Sequence, residues 1–235
     1  MNNFLERIKN TVPPVTLNLI IITLIFWLAQ KTFPYTLRFD LTDALGLHYI
    51  GSSAFRIWQP ITYMFLHATN TLTHFLFNMF SLFMFGIHIE QIWGGKRFLL
   101  FYIVCGLSAA AIQQLVWFFE LAPIVANYTQ VNVDGLLLSV PEYASLLTTI
   151  GASGAIYGIL LAFGMLFPNA AIFIFFVPIP IRAKYAVIIF GLIELVLGFS
   201  GRGNVAHFAH LGGMLGALIL ILIWRKKHRI DGPFN

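Results

Sequence analysis

Charge is the scarcest commodity in this chain. Only 10% of its 235 residues are charged, 14 Lys and Arg against 9 Asp and Glu, whereas 59% are hydrophobic. A water-soluble domain usually carries about 25% charged residues, so the composition excludes an ordinary soluble fold and describes an integral membrane protein. Cysteine is almost absent: Cys105 is alone, which rules out an intrachain disulfide, and its apolar neighbours read as packing. There is no long polar block, Pro/Ser-rich linker or low-complexity run, so residues 1–235 read as one membrane domain. No internal repeat argues for a transporter. A net charge of +5 does not point to nucleic acid, because the basic residues follow membrane topology rather than a patch. Met1 to Thr11 is polar, and the span after it has no small-residue cleavage pattern, so no cleaved signal peptide is expected.

What is present are apolar windows at 15–30, 72–93, 98–119, 145–167, 184–198 and 205–224. They predict an all-α bundle of six transmembrane helices. Pro13-Pro14 suits a helix start, and Pro168, Pro178 and Pro180 keep the connection after the fourth span non-helical. An even number of spans puts both termini on one side. With that side inside, the inner segments hold ten Lys and Arg and the outer segments four, Lys31, Arg38, Arg56 and Arg202. This positive-inside bias makes both ends cytoplasmic.

Polar side chains inside these windows need a partner or a task. Ser153, in Gly151-Ala152-Ser153-Gly154, lies about 8 residues into the fourth window, on the order of 12 Å deep. His207 stands near the start of the sixth window, and His74 and Asn78 near the start of the second. A serine and a histidine at one level are a nucleophile and its general base. His74 and Asn78, at i and i+4, are neutral donors on one helix face and suit an oxyanion hole, to which the Ser153 amide adds. Gly151, Gly154 and Gly158, with Gly212 and Gly216, let the fourth and sixth spans approach closely. Tyr157 is placed to stack beneath the imidazole of His207. His210 reads as packing or hydrogen-bonding behind His207. No third ligand accompanies the two histidines in the sequence and no His-Glu-x-x-His pattern occurs, so no metal is expected. The aspartates, Asp40, Asp43, Asp134 and Asp231, all fall outside the windows, which excludes paired-aspartate chemistry. Glu90 reads as a structural hydrogen-bonding residue, and Glu194, near the middle of the fifth window, has no partner in the sequence.

Gly151-Ala-Ser153-Gly154-Ala-Ile-Tyr157-Gly158 and Ala206-His207-Phe-Ala-His210-Leu-Gly212-Gly213 together resemble the rhomboid family of intramembrane serine proteases. His74-Phe-Leu-Phe-Asn78 and Gly86-Ile-His-Ile-Glu90-Gln-Ile-Trp93-Gly94 resemble its second-span segments. The resemblance runs from about Trp58 to Gly216. It implies a six-helix fold, a Ser153–His207 dyad without a third carboxylate, an oxyanion hole from His74, Asn78 and the Ser153 amide, and no cofactor. It further implies cleavage of membrane-spanning protein substrates near the outer face. A bacterial inner membrane is the expected location, and the alternative is a catalytically inactive scaffold that binds membrane proteins. The chain has Trp58-Gln59 where members often have Trp-Arg, with Arg56 just before. The connection from Lys31 to Asn70, with Phe55, Trp58, Tyr63 and Phe65, suits the membrane interface. Gly198 to Asn204 is expected to cap the site, with the fifth span as a lateral gate, and 121–144 to be a long outer loop.

Overall fold

The computed structural model describes residues 12–173, 180–200 and 206–227. Five of its helices are long and apolar enough to cross a membrane: α1 (Pro14–Thr36), α4 (Leu72–Trp93), α5 (Gly95–Asn127), α8 (Ala183–Ser200) and α9 (His207–Lys226). The protein is therefore a multi-pass membrane protein. A sixth apolar helix, α7 (Ser153–Leu166), has only 14 residues. Between α1 and α4 lie two short helices, α2 (Leu41–Leu45) and α3 (Gln59–Thr62), and the strand β1 (Leu47–His48). Between α5 and α7 lie a hairpin of β2 (Gln130–Val133) and β3 (Leu136–Ser139), then α6 (Val140–Leu146) and β4 (Thr148–Thr149).

Some boundaries differ from those expected. The first helix continues past Gln30 to Thr36, with Lys31 lying 4.3 Å over the Trp27 ring one turn earlier, a cation–π contact that gives its charge a partner. The third reaches Asn127 rather than stopping at the charged Glu120. The segment read as a long outer loop is ordered: Asp134 and Gly135, at φ 50° and 90°, make the tight turn that Asp-Gly favours. The largest change is in the fourth window. Residues 145–152 do not extend α7, because β4 pairs antiparallel with β1 (Leu47 opposite Thr149) and Gly151 adopts φ 131°. A side chain at that φ is strained, so only glycine turns the chain cheaply into the helix.

The connection between α1 and α4 is anchored by the residue that replaces the expected arginine. Gln59 is fully buried; its Oε1 accepts from the amides of His48 and Arg56 (3.3 and 3.0 Å), and its Nε2 donates to Ala54 O at 3.1 Å. Glu90 acts as expected. Its carboxylate accepts from Val15 N (2.9 Å), Thr16 N (2.7 Å) and Thr16 Oγ1 (2.8 Å), capping a helix 75 residues away in sequence.

At the centre, α7 and α9 both lie against α5. Phe98, Phe101, Tyr102 and Cys105 of α5 are fully buried there, and Trp93 meets Trp224 edge-on at 5.4 Å. The seam between α7 and α9 is backbone on backbone: a Cβ on Gly213 would fall 1.8 Å from the carbonyl oxygen of Gly154. Gly212 and Gly216 serve a different contact from the one expected, facing Ile112 and Ser108 of α5. Gly158 packs on Cys105 of α5 and on the Gly213 carbonyl.

Candidate functional site

Ser153 is the first residue of α7 rather than its ninth. Fourteen residues make a helix about 21 Å long, short of the roughly 30 Å of hydrocarbon that neighbouring helices cross. The helix thus starts at the serine itself, and its first-turn amides have no partner within α7. The residue of α9 at that level is one turn in, and it is His210, not His207.

The geometry is explicit. Oγ of Ser153 lies 2.7 Å from Nε2 of His210. The expected partner, His207, instead places Nδ1 2.7 Å from Oε2 of Glu194. Tyr157 likewise stacks on His210, with centroids 4.4 Å apart and planes 7° from parallel, not on His207. The reason for the correction is register. Gly213 sits against Gly154, so the side chain one turn before Gly213 reaches the residue just before Gly154. His207 is a further turn toward the helix start.

Glu194, which has no partner in the sequence, is buried at the centre of this group. The Tyr157 hydroxyl donates to its Oε1. His207 donates to Oε2, and Nδ1 of His210 lies 3.0 Å from the same oxygen but out of line for a hydrogen bond. A proton on each Nδ1 leaves Nε2 of His210 as the acceptor for the Ser153 hydroxyl. Glu194 also supplies the third metal-binding side chain missing from the sequence reading, since its ligand atom and those of His207 and His210 lie within 4.8 Å of one another. The carboxylate is already occupied by protein donors, and a cation there would compete for the imidazole that faces Ser153.

A cavity of about 790 Å³ opens onto Ser153 and His210, lined also by His74, Asn78, Tyr157 and Phe190; His207 is not on its wall. Nδ1 of His74 accepts from the Ala68 amide at 3.4 Å, which leaves the proton on Nε2 as a donor. That ring lies beside Gly151, where any side chain would crowd it. Asn78 donates through Nδ2 to His74 O at 2.7 Å. Behind them His67, absent from the sequence reading, is fully buried and lies 5.2 Å from the His74 ring. Burial, with His74 beside it, pushes His67 down to about 3, so it is neutral. Its Nε2 faces the Ala152 amide at 3.5 Å, directly before the serine.

A family model, the Rhomboid domain, matches residues 54–227, a range that holds all of these side chains. The chain belongs to the rhomboid family. It is 27% identical to the rhomboid protease AarA of Providencia stuartii over 233 residues, 92% of this chain and 74% of that one. It is also 27% identical to a putative rhomboid protease, YdcA of Bacillus subtilis, over 80% of this chain and 77% of that one. With RHOMBOID-like protein 1 of Arabidopsis thaliana it shares 29% identity over 76% of its own length and 37% of the plant protein's. Rhomboid membership supports protease function within the bilayer. The contacts of His210 and Glu194, and His67 altogether, escaped the sequence reading for different reasons. His210 stood one turn from a more N-terminal histidine, and only the Gly213 register separates them. Glu194 stood out only as a mid-window carboxylate without a partner and His67 gave no signal, since their partners come from other helices and from the loop before α4.

Proposed function

We propose that this rhomboid is a serine endopeptidase that hydrolyses peptide bonds of membrane-spanning proteins, with Ser153 as nucleophile and His210 as general base. The observation that carries this reading is the 2.7 Å approach of the Ser153 hydroxyl to Nε2 of His210 on the wall of a large, mostly apolar cavity. Ser153 Oγ attacks the scissile carbonyl carbon as its proton passes to His210 Nε2. That proton then goes to the leaving amine, and water hydrolyses the acyl-enzyme by the same exchange. His74, Asn78 and the Ser153 amide form the oxyanion hole; the donor that His74 presents and the start of α7 favour negative charge there. Tyr157 holds the imidazole plane by stacking.

The accompanying topology has α7 as a sixth span, both termini in the cytoplasm, and cleavage toward the outer side of what is a bacterial inner membrane. The ten-to-four distribution of Lys and Arg supports that orientation. Of the cap expected over 198–204, residues 201–204 lie outside the described residues.

The test pairs two variants in proteoliposomes with a single-span substrate. His210→Ala loses cleavage by 10³-fold or more, as does Ser153→Ala, and a fluorophosphonate labels the parent at Ser153 but neither variant. His207→Ala retains at least a few per cent of the rate. Loss in His207→Ala with full activity in His210→Ala overturns the assignment of the base, and undiminished cleavage by Ser153→Ala overturns the enzyme reading in favour of a binding scaffold.

A further inference from the structure

The resemblance to rhomboids implies a two-residue machinery, serine and histidine, yet this chain buries a carboxylate against the far side of the base. Glu194 comes from the middle of α8 and is 6% exposed. Such a residue near mid-span is costly unless it is paired, and it is rare for that reason. Here every contact turns it toward α7 and α9. Tyr157, already stacked on His210, donates to one carboxylate oxygen. His207 donates to the other at 2.7 Å, and Nδ1 of His210 lies 3.0 Å from that same atom. The chain of contacts therefore runs Ser153 Oγ, His210 Nε2, His210 Nδ1, Glu194 Oε2.

We propose that Glu194 is a positioning residue for His210, the third member of a Ser153–His210–Glu194 relay supplied by α8. The inference rests on the protease reading above and extends it. The carboxylate fixes the proton on Nδ1, so that Nε2 faces the serine with its lone pair. When the serine proton arrives on Nε2, the resulting imidazolium gains an ion-pair partner at once. Glu194 takes no proton in this scheme and remains a carboxylate through both half-reactions. The bent His210 contact fits such a role, because hydrogen bonds of this kind tighten as charge develops on the ring. His207 and Tyr157 then have a task of their own: they hold the carboxylate ionised and aimed while the base is neutral. The arrangement also ties the competence of the base to the position of α8.

The experiment compares the parent with Glu194→Gln, Glu194→Asp and Glu194→Ala in proteoliposomes, measuring kcat and KM on a single-span substrate, with melting temperature in detergent alongside. Glu194→Gln keeps the size of the side chain but presents an amide. It is expected to lower kcat by 10²- to 10⁴-fold while KM stays within about threefold and fluorophosphonate labelling slows in proportion. Glu194→Asp recovers at least tenfold of that loss, and added formate raises the rate of Glu194→Ala whereas chloride does not. A folded Glu194→Gln with kcat within threefold of the parent overturns the relay. If that variant does not fold, formate decides, and no rescue of folded Glu194→Ala overturns it too. Ser153→Ala separates the two claims. If it is inactive while Glu194→Gln is fully active, only the relay fails; if it cleaves normally, the protease reading fails first.

Discussion

Replacing Gly213 by alanine strikes the contact that sets the whole site. The added methyl would lie 1.8 Å from the carbonyl oxygen of Gly154. Carbon and oxygen tolerate about 3.3 Å at closest, so α7 and α9 must part by roughly 1.5 Å. The atom struck is backbone, and no side-chain rotation relieves it. Carried one turn along, that separation stretches the 2.7 Å Ser153–His210 bond to about 4 Å, beyond any hydrogen bond. Overpacking of this sort costs about 1–3 kcal/mol of stability. A displacement of about 1 Å at reacting atoms removes about 10²-fold in rate. For Gly213→Ala the melting temperature is expected to drop by several degrees. Its catalytic efficiency should fall by about 10²-fold or more, with fluorophosphonate labelling lost in parallel. Gly191→Ala on α8 is the control, because its methyl meets only the flexible end of Met214 at 3.4 Å. Parental turnover by Gly213→Ala, or equal losses in both variants, would refute the claim that the glycine seam places the base.

Other outcomes follow from the same geometry. Glu90→Ala strips three hydrogen bonds from the start of α1; about 2–4 kcal/mol of stability is expected to go, seen as a lower melting temperature with near-parental kcat at low temperature. Tyr157→Phe keeps the stack on His210 but not the bond to Glu194 and should cost about tenfold or less in kcat, whereas Tyr157→Ala should cost more; equal rates for the two would deny the stacking role. His67 binds its proton less readily folded, at about 3, than unfolded, at about 6.5. The unfolded chain thus holds more protons between those values, and stability present above about pH 6.5 is lost as pH falls, by about 1.4 kcal/mol per unit. Unfolding of His67→Phe followed from pH 7 to pH 4 should lose about one proton's worth of that slope, and an unchanged slope would place the titration elsewhere.

Composition and hydropathy were enough to establish a multi-pass membrane protein, because burying apolar helices in lipid is a matter of summed side-chain transfer, which is read residue by residue. The rhomboid resemblance, the gathering of Ser153 with the second-span His74 and Asn78 around one cavity, and the structural part played by Glu90 were legible for a similar reason: each is carried by a short run on one helix. Which histidine serves Ser153 was not. Two imidazoles three residues apart point from nearly the same helix face, and the choice between them depends on where α7 begins. That start is set by Gly151 and by the pairing of Thr149 with Leu47, more than a hundred residues earlier. The partners of Glu194 were hidden likewise, since its three neighbours come from α7 and α9 and become adjacent only once backbone meets backbone at Gly154 and Gly213. Sequence supplied the chemical groups, and tertiary contact between helices selected which of them share a proton.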